Sequence, residues 1–457
     1  MALKRHAPDG QTNLWIPTAE VTRSPGHPFY QALNRILAKH DFDRCAEDLC
    51  APYYKHGGRP SIEPGVYFRM LFIGYFEGIE SERGIEWRCA DSLSLREFLG
   101  LSLTDRVPDH SSLSRIRSRL SLEVQIEIFQ FVLKLLAKEK LLSGKHIGID
   151  ATTLEANAAM RSIVRRDTGA SYTEFLTALA KESGIDTPTK EDLARLDRTR
   201  KHKGSNDDWQ SLSDPDSGIT KMKDGSTHLA HKVEHAVDLE SGAVIAVDLS
   251  PGQTGDTTTL HRTLHVADAN LAAVHETTPA IPESVSAVVT DKGYHSNATL
   301  VELKRDGTSS WISEPDRGRR SWKGKEAERQ ATYANRRRIR GDRGKGLLRK
   351  RAELVERSFA HIYGTGGMRR CWLRGSENIL KRLLVHVAAF NLGLVMRKVT
   401  GHGTPRGLSD GRKGGFSEAS SRWSETKVRI WEIGRHLGTI FSDFIRSWFL
   451  SGQYAAA

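Results

Sequence analysis

Two short apolar runs, far apart in the chain, each end on an aspartate. Residues 147–149 lead to Asp150, and residues 286–290 lead to Asp291. Short apolar runs bounded by polar residues are typical of buried strands, whereas the apolar residues before Lys145 recur at helical spacing. The chain is therefore expected to fold as a helical first part followed by a mixed α/β part. If the two strands are neighbours, both carboxylates lie at one edge of the sheet.

The first 140 residues are predicted to be helical. Phe29, Leu33 and Ile36 recur at helical spacing, and Pro64 can open another helix because proline fits the first turn. A third helix is expected to be capped by Ser111 or Ser112. This helix carries Arg115, Arg117 and Arg119, which are candidates for DNA contact. An ordinary bundle helix with a solvated basic side is the alternative.

The pattern after Lys145 predicts strands and helices in alternation. A hairpin is expected from the strands 231–238 and 243–249, which the turn 239–242 joins. The further predictions are a helix at about 258–271, a strand at 309–313 and a helix at about 347–363. A polar segment at about 155–227, with two helix-like pieces, reads as an insertion.

Most of the positive charge lies in one segment. The formal net charge is +12, and residues 316–351 hold fifteen Lys or Arg against four acids, a net of +11. A focused field of this kind suits a polyanion, because each base that neutralises a phosphate releases counterions. The candidates for nucleic-acid contact are Arg336, Arg337, Arg338, Lys350 and Arg357. A solvated basic loop is the alternative.

Two neighbouring carboxylates require a cation, and hard divalent ions with oxygen ligands meet that need. A third acid is expected on the helix at 347–363. Glu356 is preferred, because apolar neighbours place it near the packed side of the helix. Glu353 competes with it. Each acid could also be structural: Asp150 could end a strand, Asp291 could begin a turn, and Glu356 could form a surface ion pair.

In these motifs the chain resembles the DDE-type transposases of bacterial insertion sequences. Asp150 in GIDATT, Asp291 in VTDKGYH and Glu356 in LVERSF resemble the three acidic motifs of that family, and residues 231–238 extend the likeness. The third motif departs from the usual Tyr-x-x-Arg-x-x-x-Glu followed by Lys, because Arg349, Ala352 and Tyr363 stand at those three positions. Lys350 or Arg357 could supply the phosphate contact instead.

The resemblance implies a fold, a reaction and partners. The fold is a ribonuclease-H-like mixed sheet flanked by helices, with an N-terminal all-α domain. The implied reaction is cleavage at transposon ends and transfer of the 3′-OH into target DNA. Asp150, Asp291 and Glu356 would be the catalytic residues and would bind two Mg²⁺ ions, for which Mn²⁺ can substitute. The implied partners are double-stranded DNA and a second copy of the chain.

Two other functions fit the same residues. One is a DNA-binding protein descended from such an enzyme, with its acids kept only for structure. The other is a ribonuclease-H-like, structure-specific nuclease that cuts and never joins.

The expected organisation has three parts. Residues 1–140 form a DNA-binding helical domain, residues 141–398 a catalytic domain with its insertion, and residues 399–457 a linker and a tail of unknown role. A membrane protein is not expected, because we find no apolar run of about 20 residues. Four scattered cysteines and a polar start, without the apolar core of a signal peptide, favour the cytoplasm.

Overall fold

A computed structural model describes residues 26–409, except residues 56, 58–60, 201–203, 223–224 and 319. The helices are α1 Pro28–Lys39, α2 Phe42–Cys50, α3 Pro64–Glu77, α4 Glu82–Ala90, α5 Leu93–Phe98, α6 His110–Arg119, α7 Leu122–Lys138, α8 Tyr172–Glu182, α9 Lys190–Thr199, α10 Asp256–His275, α11 Asn297–Arg305, α12 Glu326–Arg340, α13 Asp342–Phe359, α14 Ser376–Thr400 and α15 Pro405–Ser409. The strands are β1 Ile147–Glu155, β2 Ile163–Arg165, β3 Trp209–Ser211, β4 Gly218–Lys221, β5 Thr227–Asp238, β6 Val244–Pro251, β7 Ala287–Thr290 and β8 Ser309–Ile312.

The first part of the described chain is helical, as predicted. Helix α1 buries Phe29, Leu33 and Ile36 on one side, and α3 begins at Pro64. The predicted cap of α6 is wrong. Helix α6 begins at His110, and the Asp109 carboxylate accepts a hydrogen bond from the Ser112 backbone N–H at 2.8 Å. An aspartate at the N-cap satisfies this first-turn donor and also favours the positive end of the helix dipole.

The main sheet has the predicted mixed form. Strand β1 pairs antiparallel with β5 and parallel with β7, and β7 pairs parallel with β8. The hairpin partner β6 lies antiparallel to β5, and the short β4 pairs with the start of β5. The resulting order β6-β5-β1-β7-β8 is a three-stranded antiparallel meander continued by two parallel strands. This is the ribonuclease-H-like architecture, which confirms the predicted fold class.

Helices cover both faces of this sheet. Lys232 on β5 reaches Thr259 of α10, whereas His235, three residues later, bonds to Ser358 of α13. Side chains at odd and even positions of a strand point to opposite faces, so α10 and α13 lie on opposite sides. Helix α13 therefore covers the face to which Asp150 belongs, because Asp150 and His235 are paired across the two strands.

One hydrophobic core joins the N-terminal helices to the sheet. It runs from Phe29 through α3 and α7 to β1, β5 and α14. Contrary to the sequence expectation, a segment within Ser376–Leu408 is long and apolar enough to cross a membrane by length and composition. However, 89% of the apolar window is buried inside the protein. Packing of α14 against α7 and α3 accounts for its apolar character.

Two segments differ in detail from their prediction. The polar segment between β1 and β5 contains the two expected helices, α8 and α9, and also the small sheet of β2 and β3 around the buried Trp209. The basic segment 316–351 is mostly helical, because residues 326–340 form α12 and residues 342–351 lie in α13. Residues 410–457 of the predicted linker and tail lie outside the described residues.

Candidate active site

Asp150 and Asp291 lie side by side in the sheet. Strands β1 and β7 are parallel, and Ile147 pairs with Val288. Each aspartate follows its member of that pair by three residues, so the register places the two at the same level. Asp150 lies within β1, whereas Asp291 directly follows the last residue of β7. The Asp291 carboxylate also accepts the Gly293 backbone N–H at 2.8 Å, which fixes the turn after β7.

A single arginine connects the two carboxylates. Arg351 of α13 donates from Nη1 to Asp150 Oδ2 at 3.0 Å, and its Nη2 lies 3.7 Å from Asp291 Oδ2. The side chain of Arg351 is 8% exposed, whereas that of Asp291 is 46% exposed. Burial raises the pKa of the Asp150 carboxyl, Arg351 lowers it, and the charges of Asp291 and Asp256 raise it. The site therefore favours a cation beside Asp150.

Gly148 explains how α13 comes so close to β1. A Cβ atom on this residue would lie 2.6 Å from Leu239 Cδ2 and 3.0 Å from Arg351 Cγ. Only a residue without a side chain leaves space for the arginine stem at this point. The sequence thus positions the guanidinium through a glycine two residues before Asp150.

A second charged network lies on the opposite face of β5. Lys232 Nζ lies 2.9 Å from Glu234 Oε1 and 2.7 Å from Asp256 Oδ1. Glu234 is buried and accepts hydrogen bonds from three hydroxyl groups, those of Thr259, Thr263 and Tyr294. Burial raises the pKa of Tyr294 above its ordinary value, so this phenol stays a donor.

Asp256 links this network to the aspartate pair. A Cβ atom on Gly293 would lie 2.4 Å from Asp256 Oδ2 and 3.1 Å from Asp291 Oδ1, so the two carboxylates approach each other around this glycine. Asp256 was not among the site residues predicted from the sequence. Arg351 was not predicted as the bridge either, although that arginine stands one residue from the position expected in the third motif.

Within the described residues, the predicted third acid, Glu356, does not complete a three-ligand group with the two aspartates. Glu356 is exposed, and the α13 residue that contacts both aspartates is Arg351, five residues earlier. Five residues correspond to a rotation of about 140° around a helix, so the two side chains leave α13 in different directions. Glu353 is also exposed and pairs with Arg357 at 2.5 Å. The role of Glu356 stays a prediction.

The donors present suit a hard divalent cation only in part. Asp150 and Asp291 offer carboxylate oxygens at one place, and a buried guanidinium already marks it as a position for positive charge. Within the described part of the chain, no group of three or more acidic, histidine or cysteine side chains is arranged to hold a metal ion. Two carboxylates are therefore brought together, and a bound ion would take its further ligands from water or a nearby acid.

The predicted nucleic-acid contacts fall into two groups. Arg115, Arg119, Arg337 and Lys350 are exposed. The side chains of the other four bond to other residues of the protein. Arg117 pairs with Glu82, Arg336 pairs with Glu314, Arg338 bonds to the carbonyl of Ser310, and Arg357 pairs with Glu353.

Comparisons with known proteins identify the family of this chain. A family model described as a transposase domain, DUF772, matches residues 19–119, and a transposase DDE domain matches residues 188–392. Together they cover more than half of the chain. The chain belongs to the DDE transposases. As a DDE transposase it is a DNA-cleaving and transesterifying enzyme, with Asp291 and Glu356 inside the matched DDE region and Asp150 before it.

The remaining comparisons add little. Among solved structures, the Mos1 mariner paired end complex with Mn is similar over 73% of this chain and 87% of that chain, at 11% identity and a TM-score of 0.18. At this TM-score the likeness carries no argument. No curated protein matches the transposase.

Proposed function

We propose that this transposase cleaves DNA at the ends of an insertion element and joins the freed 3′-OH to target DNA. The observation that carries the proposal is the juxtaposition of Asp150 and Asp291 on neighbouring parallel strands, with one buried cation between them. Two carboxylates at one edge of a ribonuclease-H-like sheet are suited to binding divalent metal.

We further propose that Asp150 and Asp291 bind Mg²⁺, for which Mn²⁺ can substitute, with two ions in the active complex. Such ions supply Lewis-acid activation of an attacking oxygen and stabilisation of the leaving oxygen at phosphorus. The protein contributes the positions of the carboxylates: β1 fixes Asp150, and the turn at Gly293 fixes Asp291.

Glu356 is the proposed third acid, and Asp256 is the alternative that the geometry favours. The reason to retain Glu356 is its place in the third motif. The reason to consider Asp256 is that its Oδ2 faces Gly293 and Asp291, while its Oδ1 is held by Lys232. Loss of Mg²⁺-dependent cleavage in Glu356→Gln, but not in Asp256→Asn or Glu353→Gln, would assign the role to Glu356.

Double-stranded DNA is the proposed partner, and the exposed bases of α6, α12 and α13 are the proposed phosphate contacts. Arg115 and Arg119 lie on α6, Arg337 on α12 and Lys350 on α13. Residues 1–140, 141–398 and 399–457 remain the proposed division into DNA-binding, catalytic and tail regions. A homodimer is proposed for the active complex, and the cytoplasm for the compartment.

One experiment separates the three functions. Purified protein is incubated with Mg²⁺ and a supercoiled plasmid that carries the element ends, and the products are analysed for cuts and for joined strands. Cuts and joined strands together support a transposase. Cuts alone would indicate a nuclease, and binding without cuts would indicate a DNA-binding protein that has lost catalysis.

A further inference from the structure

Arg351 occupies the place at which a metal ion would be expected. Its Nη1 lies 3.0 Å from Asp150 Oδ2, and its Nη2 lies 3.7 Å from Asp291 Oδ2. Only 8% of the Arg351 side chain is exposed. One positive charge is thus divided between two carboxylates. The pair keeps a net negative charge even with Arg351 in place, so it still attracts a cation.

The geometry of this contact is not that of a permanent ion pair. Stable arginine–carboxylate pairs are commonly bidentate, with both nitrogens on one carboxylate. Arg336 makes such a pair with Glu314, through Nε at 2.6 Å and Nη2 at 2.8 Å. Arg351 instead divides its fork between two acids, and among the residues that the structure describes its buried Nη2 has no hydrogen-bond partner. An unsatisfied buried donor carries a free-energy cost, which favours release of this nitrogen.

A divalent ion and this guanidinium compete for the same oxygens. Mg²⁺ needs carboxylate oxygens at about 2.0–2.1 Å in a near-octahedral arrangement. Asp150 Oδ2 is already bonded to Arg351, and a second cation placed between the aspartates would be repelled by the guanidinium. The stem of Arg351 lies over Gly148 at Cγ, so a displacement of the guanidinium would turn the side chain about the bonds beyond Cγ.

We propose that Arg351 is an internal counter-cation, which offsets part of the charge of Asp150 and Asp291 in the metal-free enzyme and is displaced when a divalent ion binds. This inference rests on the proposed metal site at the two aspartates. Arg351 thereby acts as a positioning residue: it keeps two like charges together without metal, and it lowers the apparent affinity for metal. The affinity is reduced by the fraction of molecules in which the guanidinium is in place.

The test is Mn²⁺ binding without DNA, measured by titration calorimetry and by the EPR signal of free Mn²⁺. Arg351→Met keeps much of the apolar stem and removes the charge. We expect Arg351→Met to bind Mn²⁺ at least about tenfold more tightly than the wild type. It should also melt at a lower temperature in chelator and gain more thermal stability from Mn²⁺. Arg349→Met, an exposed arginine on the same helix, is the matched control and should bind Mn²⁺ as the wild type does.

A second measurement uses the wild-type protein, in case Arg351→Met fails to fold. Phenylglyoxal modifies accessible arginines, and mass spectrometry locates the product. In chelator Arg351 should be protected, and with Mn²⁺ it should become reactive. Equal protection in both conditions would overturn the inference, as would equal or weaker Mn²⁺ binding by a folded Arg351→Met protein.

The outcomes also distinguish this inference from the proposed function. If Asp150→Asn abolishes Mn²⁺ binding but Arg351→Met does not strengthen it, the metal site stands and the inference about Arg351 fails. If the wild type, Asp150→Asn and Arg351→Met all bind Mn²⁺ equally, there is no metal site at the aspartates, and both proposals fail.

Discussion

The sheet carries two charged networks, one around Lys232 and one around Arg351. They differ in how completely their charged groups are paired. In the Lys232 network, the ammonium group contacts two carboxylates and a hydroxyl, and Glu234 accepts three further hydroxyl hydrogen bonds. In the Arg351 network, one guanidinium contacts two carboxylates, one of its nitrogens has no hydrogen-bond partner within the described part of the chain, and Asp291 is 46% exposed.

The difference separates a structural role from a chemical one. The buried pair of Lys232 and Glu234 has its partners in place and fixes β5 against α10. A pair of carboxylates with too little positive charge around it can accept a cation, and its exposure admits a substrate. Two sets of ionised side chains of similar composition therefore have opposite expected sensitivities to mutation.

The largest expected effect is on stability, in the Lys232 network. Lys232→Met leaves Glu234 buried without its cation and should lower the free energy of unfolding by about 3–5 kcal/mol. Urea denaturation measures the change. Arg305→Met is the control, because Arg305 and Asp306 form an exposed ion pair. Loss of this pair should lower the free energy of unfolding by no more than about 1 kcal/mol. A Lys232 variant as stable as this control would remove the structural side of the comparison.

The second effect is on activity, at the aspartate pair. Asp150→Asn should reduce Mg²⁺-dependent cleavage at least about a hundredfold, since loss of a ligand should exceed the 10- to 100-fold cost of losing a residue that only supports one. Its unfolding free energy should change far less than that of Lys232→Met. Cleavage of a labelled element end measures the first quantity. Unchanged cleavage by a folded Asp150→Asn protein would contradict the chemical role.

The third effect concerns His235, which pairs with Asp150 across strands β5 and β1, and it depends on pH. His235 is fully buried, and burial lowers its pKa to about 3, while Ser358 and Tyr363 bond to its ring. In the unfolded chain the pKa is near 6.5, so below pH 6.5 the unfolded state binds a proton that the folded state does not. Stability should therefore fall as the pH drops from about 6.5 towards 3, by about 2 kcal/mol at pH 5 from this group.

Urea denaturation of wild type and His235→Gln at pH 7.5 and pH 5.0 isolates this contribution. The wild type should lose about 2 kcal/mol more than the variant between the two values. Histidines shared by both proteins, such as His361, cancel in the difference. An equal loss in both proteins would show that the surroundings of His235 are polar enough to accept its charge.

The sequence was sufficient for the parts that depend on local pattern. The strand before Asp150, the hairpin around residues 239–242 and the helix after Gly255 all follow from apolar periodicity and turn residues, and the structure confirms them. The neighbouring placement of Asp150 and Asp291 was expected on the condition that their strands adjoin, and they do.

Other features depend on contacts between distant segments. Helix α12 was not predicted, because its polar sequence buries only Ala331, Thr332 and Asn335 and shows little apolar periodicity. The approach of Arg351 to Asp150 depends on the rotation of α13 and on the space above Gly148, and no local pattern records either. The burial of Lys232 was not predicted either, because it depends on acids that come from β5 and α10.

The same distinction between engaged and available charge applies to the basic segment, and it gives the smallest expected effect. Arg337, Lys345 and Lys350 are exposed, whereas Arg336 and Arg338 are held by Glu314 and Ser310. Replacing the three exposed residues with Ala should weaken binding to specific and random duplexes alike, and lower the slope of log K against log salt by about 0.9 for each lost phosphate contact.

Arg336→Ala with Arg338→Ala is the contrasting variant of the same segment. It should leave the salt slope nearly unchanged, because these two guanidinium groups already bond to protein oxygens and have few donors left for phosphate. Filter binding of both duplexes over a salt series measures the slopes. Preference for the element ends should survive in both variants, since phosphate contacts position a protein on DNA and base contacts carry sequence recognition. If the slope instead falls with Arg336 and Arg338, DNA takes these arginines from Glu314 and Ser310, and the pairing in the unbound protein does not decide which charges meet DNA.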